Sequence, residues 1–340
     1  MENDSEVKLG VIGIGRIGSI HANNLTFNVP SANLVAISDS RVEVLEERAG
    51  ECGNPDTYED YKDLLTRSDL DGVVVCTSTD THAQIIEHAA QADKHVFCEK
   101  PIALDLEEID GVLSAVEEAG IKFQVGFSRR FDPSFRKAKK KVEEGEVGRP
   151  QVLKITSRDP EPPPMDYVKA SGGLFVDMTI HDFDMARFMM PGEVEEVYAR
   201  GSVLIDERIE EADDVDTAAV VLKFEGGAIG LIDNSRKAAY GYDQRLEVLG
   251  SQGKVEVSNP RETQIEVSDG EGSQKDSVLH FFTERYEEAY QNEMEDYTEY
   301  ILCGEKSPAS GEDGRMAVVL ADAAELSRKE NRPVKLSEVD

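Results

Sequence analysis

In the stretch GGLFVDMTIHDFDMARF, residues 172 to 188, groups able to bind or release protons interrupt an apolar pattern. Phe175, Met178, Met185 and Phe188 recur as on a packed helix, and Asp177, His181 and Asp184 sit among them. Residues three or four apart lie on one helix face, so the three share a face. Two chemistries fit this spacing. One is a surface ion pair, common and weak; the other is an imidazole held in one tautomer by a carboxylate, as general acid/base catalysis requires.

The elements around these groups must say which reading has a site to serve. VKLGVIGIG is a short β-branched run ending in glycines, and RIGSIHANNL continues as a helix. LVAISDS, DGVVVCTST, HVFCEKP and KFQVGF are further strands, separated by helical segments such as THAQIIEHAAQAD and LEEIDGVLSAVEEAG. Strands alternating with helices imply a parallel sheet covered on both faces. Gly13, Gly15 and Gly18 form G-x-G-x-x-G directly after the first strand, and Asp39 ends the second. This is the context of a dinucleotide site. Gly13 and Gly15 let the backbone turn and approach a pyrophosphate whose charge is met by the helix N-terminus, and Gly18 lets helix and strand pack closely. The loop Gly13, Ile14, Gly15, Arg16, Ile17, Gly18 is therefore the expected cradle. Asp39 suits both ribose hydroxyls and repels a 2′-phosphate, which points to NAD; Arg41, two residues on, could bind that phosphate and keeps NADP possible.

Ligands of open α/β sheets lie across the carboxyl ends of the strands, which brings CTSTDTH (76 to 82) and CEKP (98 to 101) into view. Thr77, Ser78 and Thr79 offer hydroxyls and backbone groups to the cofactor. His82 starts a helix, either as a cap or packing residue or in contact with the cofactor. Lys100 leaves an apolar strand between Glu99 and Pro101, and the proline blocks a continuing ladder. An edge lysine can simply be solvated; beside a cationic nicotinamide ring it could instead exchange a proton with a substrate hydroxyl.

From about Ser128 the alternation stops and strands predominate: QVLKITSR, VEEVYARGSVLI, TAAVVLKFE, GAIGLIDNSRKA, RLEVLGS and KVEVSN. The expected fold is an α/β Rossmann domain over residues 1–127, followed by an α+β domain over 128–340 with a large, mostly antiparallel, open-faced sheet. PEPPPMDY (160 to 167) reads as a proline-stiffened loop near a pocket mouth.

Composition limits the partners. Asp and Glu number 69 against 37 Lys and Arg, a formal charge of -32, which repels phosphate backbones and anionic lipid. Neither nucleic acid nor a membrane is expected. Cys52, Cys76, Cys98 and Cys303 lack any framework or zinc spacing, and the start MENDSEVKLG lacks a basic, then apolar, leader pattern; a cytoplasmic protein is expected. A metal site from His181, Asp182 and Asp184 fails because adjacent positions face apart. Tyr58 and Lys62 match the Y-x-x-x-K spacing of short-chain dehydrogenases, yet lie in a charged segment before the third strand, where chance explains them.

With these residues in view, the chain resembles the glucose-fructose oxidoreductase/inositol dehydrogenase (Gfo/Idh/MocA) family nearly end to end. The resemblance rests on GIGRIG, the CEKP exit, GFSRRFDPSF (126 to 135), TSRDPEPPP (156 to 164), SGGLFVDMTIHDFDMARF (171 to 188) and YGYDQRLEVLGSQG (240 to 253). The order and spacing of RRFDPSF, SRDP and YGYD point to its inositol dehydrogenase branch. The resemblance implies oxidation of a secondary hydroxyl of a cyclitol or sugar, myo-inositol before scyllo-inositol or an aldose, by hydride transfer to NAD. Lys100, Asp177 and His181 match the family's catalytic triad: His181 takes the hydroxyl proton, Asp177 orients the imidazole, and Lys100 binds the reacting oxygen. Which of Lys100 and His181 is the immediate base stays open. Arg130, Asp159 and Tyr240 fall at polyol-binding positions, beside Lys100, Asp177 and His181. The resemblance also implies that 128–340 binds substrate and assembles a homo-oligomer, dimer or tetramer, through its open sheet. A NAD-binding sensor without turnover is the alternative of another class, and the presence of Lys100 and His181 speaks against it.

Overall fold

The computed structural model describes residues 6–304 and 306–340. Among the described residues, its first compact unit comprises those up to Asp132 and those from Glu288 to Met316. Six parallel strands, β1 Val7–Ile12, β2 Ala32–Ser38, β3 Asp56–Tyr58, β4 Gly72–Val75, β5 His95–Glu99 and β6 Phe123–Gly126, run in the order 3-2-1-4-5-6. β1 and β4 are buried throughout or nearly so, which is why their sequences read as continuous apolar runs rather than alternating ones. Strand order reverses between β1 and β4, the place where ligands of open α/β sheets bind.

Helices α1 Arg16–Phe27, α2 Val42–Glu51, α3 Tyr61–Leu65, α4 His82–Gln91 and α5 Leu106–Ala119 connect these strands. α5 shows how locally its bounds are written: Asp105 accepts the N–H groups of Glu107 and Glu108, and Gly120 ends it with φ +65°.

The second unit comprises residues 133–287 and 317–340. Its helices are α6 Pro133–Glu143, α7 Met165–Ala170, α8 Ile180–Met189 and α9 Phe282–Arg285, and a π-helical turn, Phe175–Thr179, leads into α8. Its sheet holds β7 Pro150–Arg158, β8 Val194–Ser202, β9 Thr217–Phe224, β10 Ile229–Ser235, β11 Asp243–Gly250, β12 Lys254–Val257 and, after the short hairpin β13 Glu266–Asp269 and β14 Gly272–Lys275, β15 Val334–Lys335. The order is 12-11-7-10-9-8-15, antiparallel except for the central pair β7 and β10. β9 alternates strictly between buried and exposed side chains, so one face is packed and the other open.

The second half holds more helix than its sequence suggests, since α6 and α7 were not expected, and the β13–β14 hairpin was missed as well. The units also interleave where a cut at 127/128 was expected. α10 Glu287–Cys303 lies almost wholly in the first unit, where Met294 and Tyr297 join the core of Val7, Leu9, Val11 and Phe97. Gly72 makes room for the Tyr297 hydroxyl, which a Cβ there would approach to 2.9 Å. α11 Gly311–Glu330 divides between the units at Met316.

Candidate active site

In the first unit the glycine loop is required by contact. Gly13 has φ +86°, and a Cβ on it would stand 2.8 Å from the Cys76 backbone; a Cβ on Gly18 would fall 1.9 Å from the Gly13 carbonyl oxygen. Gly15 differs: nothing lies within 4 Å of where its Cβ would be. It begins α1, whose first turn carries no acidic residue, so the helix N-terminus faces an anion across a cradle a side chain would fill. A dinucleotide pyrophosphate fits this construction.

Asp39 is 8 % exposed. Oδ2 accepts the Ile14 N–H at 3.0 Å, binding the glycine loop to the end of β2, and both oxygens accept the Arg41 guanidinium at 2.9 Å. Burial pushes the carboxyl up, but the Arg41 side chain and the N–H groups of Arg41 and Ile14 outweigh it and hold it below the usual range. Arg41 is thus folded onto the carboxylate, which disfavours the phosphate-binding role its sequence position allowed. An Asp39→Ala variant should lower the NAD-to-NADP ratio of kcat/KM by about 10²-fold, the loss of one or two hydrogen bonds to a charged acceptor. Steady-state kinetics with both cofactors check this, and an unchanged ratio refutes the assignment.

The other strand exits sit on the same carboxyl edge. The Thr77 hydroxyl accepts from Thr81, and Ser78 precedes the 3-10 turn Thr79–Thr81. His82, 1 % exposed, has Nδ1 2.8 Å from the Pro101 carbonyl oxygen and Nε2 3.1 Å from that of Thr77. Burial lowers its proton affinity against the pull of those carbonyls. The ring staples the β4 exit to the residue after Lys100. On the other side of Lys100, the Glu99 carboxylate meets His21 Nε2 of α1 at 2.7 Å, and Glu293 of α10 completes a group whose donor atoms lie within 4.8 Å of one another. Arg130, in the buried turn Ser128–Phe131 after β6, donates to the Pro308 carbonyl and pairs with Asp313 at 3.1 Å.

In the second unit, Asp177 occupies the π-helical turn and His181 the first turn of α8. The wider i to i+5 turn changes the expected face: Asp177 and His181 are partly exposed, whereas Asp184 is buried. The Asp177 carboxylate has two donors the sequence did not suggest. Oδ1 accepts the Tyr167 hydroxyl of α7 at 2.7 Å, and Oδ2 accepts Arg236 Nη1 at 3.0 Å. The Tyr167 ring is half-exposed while its hydroxyl turns inward; burial, then the charge of Asp177, keep the phenol protonated and so a donor.

Beneath α8 runs a buried polar network: Thr179 donates to Asn234 Oδ1 and Asn234 Nδ2 donates to Asp182, each at 2.7 Å, while Ser157 donates to Gln244 at 2.9 Å. Asp182 thereby fixes the helix to β10. Asp159 follows β7, and its backbone pairs with Ser235 and Ala238, bringing it beside the segment that carries Arg236. Tyr240 stands just before β11, its hydroxyl donating to Asp243 at 2.6 Å and accepting from Arg158 at 2.9 Å. The parallel pairing of β7 with β10 brings their carboxyl ends, and so Asp159 and Arg236, to one end of the sheet. Tyr167 lay in the proline-rich segment that sequence marked as a pocket mouth. Arg236 carried no signal.

Family models match both halves of the chain: an oxidoreductase family with a NAD-binding Rossmann fold over residues 7–127, and the GFO/IDH/MocA C-terminal domain over 135–256. Myo-inositol 2-dehydrogenase from Thermotoga maritima is 50 % identical over 333 residues, covering 98 % of this chain and 99 % of that one. Inositol 2-dehydrogenase from Rhizobium meliloti is 45 % identical, covering 97 % and 99 %. The crystal structure of scyllo-inositol dehydrogenase from Lactobacillus casei with NAD(H) and scyllo-inositol superposes with a TM-score of 0.91 at 32 % identity, covering 98 % of this chain and 99 % of that one.

Proposed function

The chain belongs to the GFO/IDH/MocA oxidoreductase family, and from that premise we propose which alcohol it oxidises and which residues move the proton. It is a NAD-dependent oxidoreductase that oxidises a secondary hydroxyl of a cyclitol. Its substrate is myo-inositol, converted to 2-keto-inositol. The end-to-end likeness to inositol 2-dehydrogenases carries this reading.

NAD, when bound, supplies the hydride acceptor. The chain's own part is to hold it, through Gly13 to Gly18, Asp39, Arg41, Thr77 to Thr79, His82, Glu99 and Lys100, and to take the proton that must leave as the C–H bond breaks. His181 accepts that hydroxyl proton, Asp177 orients the imidazole, and Lys100 binds the reacting oxygen. Asp159 and Tyr240, at the end of the second sheet, are the polyol-facing groups, with Arg130 a weaker member because its guanidinium already serves Pro308 and Asp313. A polyol is all hydroxyls, so charged and hydroxyl-bearing groups of this kind decide which carbon is presented.

A panel of myo-inositol, scyllo-inositol and aldoses, each with NAD and NADP and read by NADH or NADPH absorbance, tests the assignment. The highest kcat/KM is expected for myo-inositol with NAD. Preference for scyllo-inositol would move the substrate within the class, and turnover of aldoses alone would overturn it.

The working form is a homo-oligomer, dimer or tetramer, assembled through the open sheet face. Val221 and Leu231 pair across β9 and β10 on that face and are 40 % and 38 % exposed, flanked by Ile229 at 45 % and Leu249 at 41 %. Such a row is costly to leave in water. Leu231→Glu should reduce the mass measured by light scattering after gel filtration, and an unchanged oligomeric mass would remove the face from the interface. The four cysteines are all free thiols, which supports a reducing cytoplasmic location. Among the described residues no helix is long and apolar enough to cross a membrane.

A further inference from the structure

Arg236 is the bulkiest side chain among those fully buried in the described residues, 1 % exposed. Burying a guanidinium is expensive, and even a well-made buried ion pair contributes little net stability. This one is not fully used as a structural ion pair. Nη1 donates to Asp177 Oδ2 at 3.0 Å and Nη2 lies 3.9 Å from Asp214 Oδ2, while Nε and Nη2 make no hydrogen bond among the described residues. Its backbone is held as well, the Arg236 N–H donating to the Asp216 carbonyl at 2.8 Å.

The two carboxylates it lies between belong to one piece of construction. Asp214 accepts the Leu174 N–H at 2.8 Å. Gly173 packs against that same carboxylate: its φ is +83°, and a Cβ there would come within 3.0 Å of Asp214 Oδ1. Asp214 thus holds the bend that enters the π-helical turn, and Asp177 sits within the turn. Arg236 lies between them, while Tyr167 holds the other oxygen of Asp177.

We propose that Arg236 is a positioning residue that clamps Asp177 from its buried side, fixing the orientation of the carboxylate and offsetting its charge so that His181 works as a neutral base. This rests on the reading that Asp177 and His181 handle the hydroxyl proton. The groups of this unit that bear on Asp177 are His181 one turn on, Tyr167 from α7, Arg236 and Asp214, with Asp159 close enough to Tyr167 to act on its charge. Arg236 is the buried cation held against that carboxylate. Take it away and the negative charge at Asp177 draws a proton onto itself or onto the imidazole. That proton must leave before the base can work, so the acid limb of the pH profile moves to higher pH.

The test is Arg236→Met and Arg236→Lys in the full-length protein, with kcat and kcat/KM for myo-inositol against pH, NAD affinity by titration, and melting temperature. Arg236→Met should lose about 10²-fold in kcat, bind NAD as wild type does, and shift the acid limb up by about one unit or more. Arg236→Lys keeps the charge without the fork, so it should keep the limb near its wild-type position and lose part of kcat. Added methylguanidinium should restore part of the activity of Arg236→Ala, which a scaffold role alone would not allow. Wild-type kcat and an unmoved limb in a folded Arg236→Met would overturn the clamp. If Arg236→Met does not fold, wild-type kcat in Arg236→Lys overturns it instead. Wild-type protein that oxidises no cyclitol would refute the underlying reading, a result separate from an unshifted profile in an active enzyme.

Discussion

Lys100→Met lowers kcat for myo-inositol by about 10³-fold while the dissociation constant for NAD stays within a few-fold of wild type; that is the result expected if the amine binds and helps deprotonate the reacting oxygen. The structure favours a clean reading of this substitution because the residues on both sides of Lys100 make contacts of their own. Before it, Glu99 is paired with His21 at 2.7 Å; after it, the Pro101 carbonyl meets His82 at 2.8 Å. Methionine has nearly the length of lysine and none of its protons. The strand exit should therefore stand, and what disappears is the chemistry. NAD affinity by calorimetry and turnover by NADH absorbance separate the two, and unimpaired turnover would remove Lys100 from the mechanism.

His181→Gln should lose between about 10² and 10⁴ in kcat, and its pH profile should lose the acid limb that protonation of the base imposes. The helix carrying it is pinned by Thr179 and Asp182 through Asn234, so glutamine is not expected to unseat α8. The same profiles tell the two candidate bases apart. If the acid limb survives in His181→Gln and vanishes in Lys100→Met, the lysine is the immediate base. Retention of wild-type kcat in His181→Gln would take the histidine out of proton transfer.

Much of the first unit could be read directly because its signals are local. A strand buried on both faces reads as an unbroken apolar run, a glycine that must take φ +86° marks the turn after it, and Asp105 and Gly120 write the ends of α5 within a few residues. The second unit was less legible for a matching reason. Its strands alternate and are legible, but α6, which carries the basic run Lys139 to Lys141, lies in a stretch expected to be strand-rich. The β13–β14 hairpin is exposed throughout, so no buried face disciplines its pattern. The membership of α10 in the first unit is not legible in sequence, because an amphipathic pattern says that one face is buried and not against what.

The same division runs through the site. Types and spacing along the chain single out Gly13, Gly15, Gly18, Asp39, Lys100, Asp177 and His181 as candidates, since each is marked by its immediate neighbours. Tertiary structure alone decided how Arg41 and Asp177 are engaged. Arg41 folds back onto Asp39, and Asp177 is held by Tyr167 and by Arg236, the latter 59 residues away. The reason is physical: backbone period and turn chemistry are fixed by residues within a few positions of one another, whereas the partner of a buried charge is whichever opposite charge the folded sheet brings to the same place.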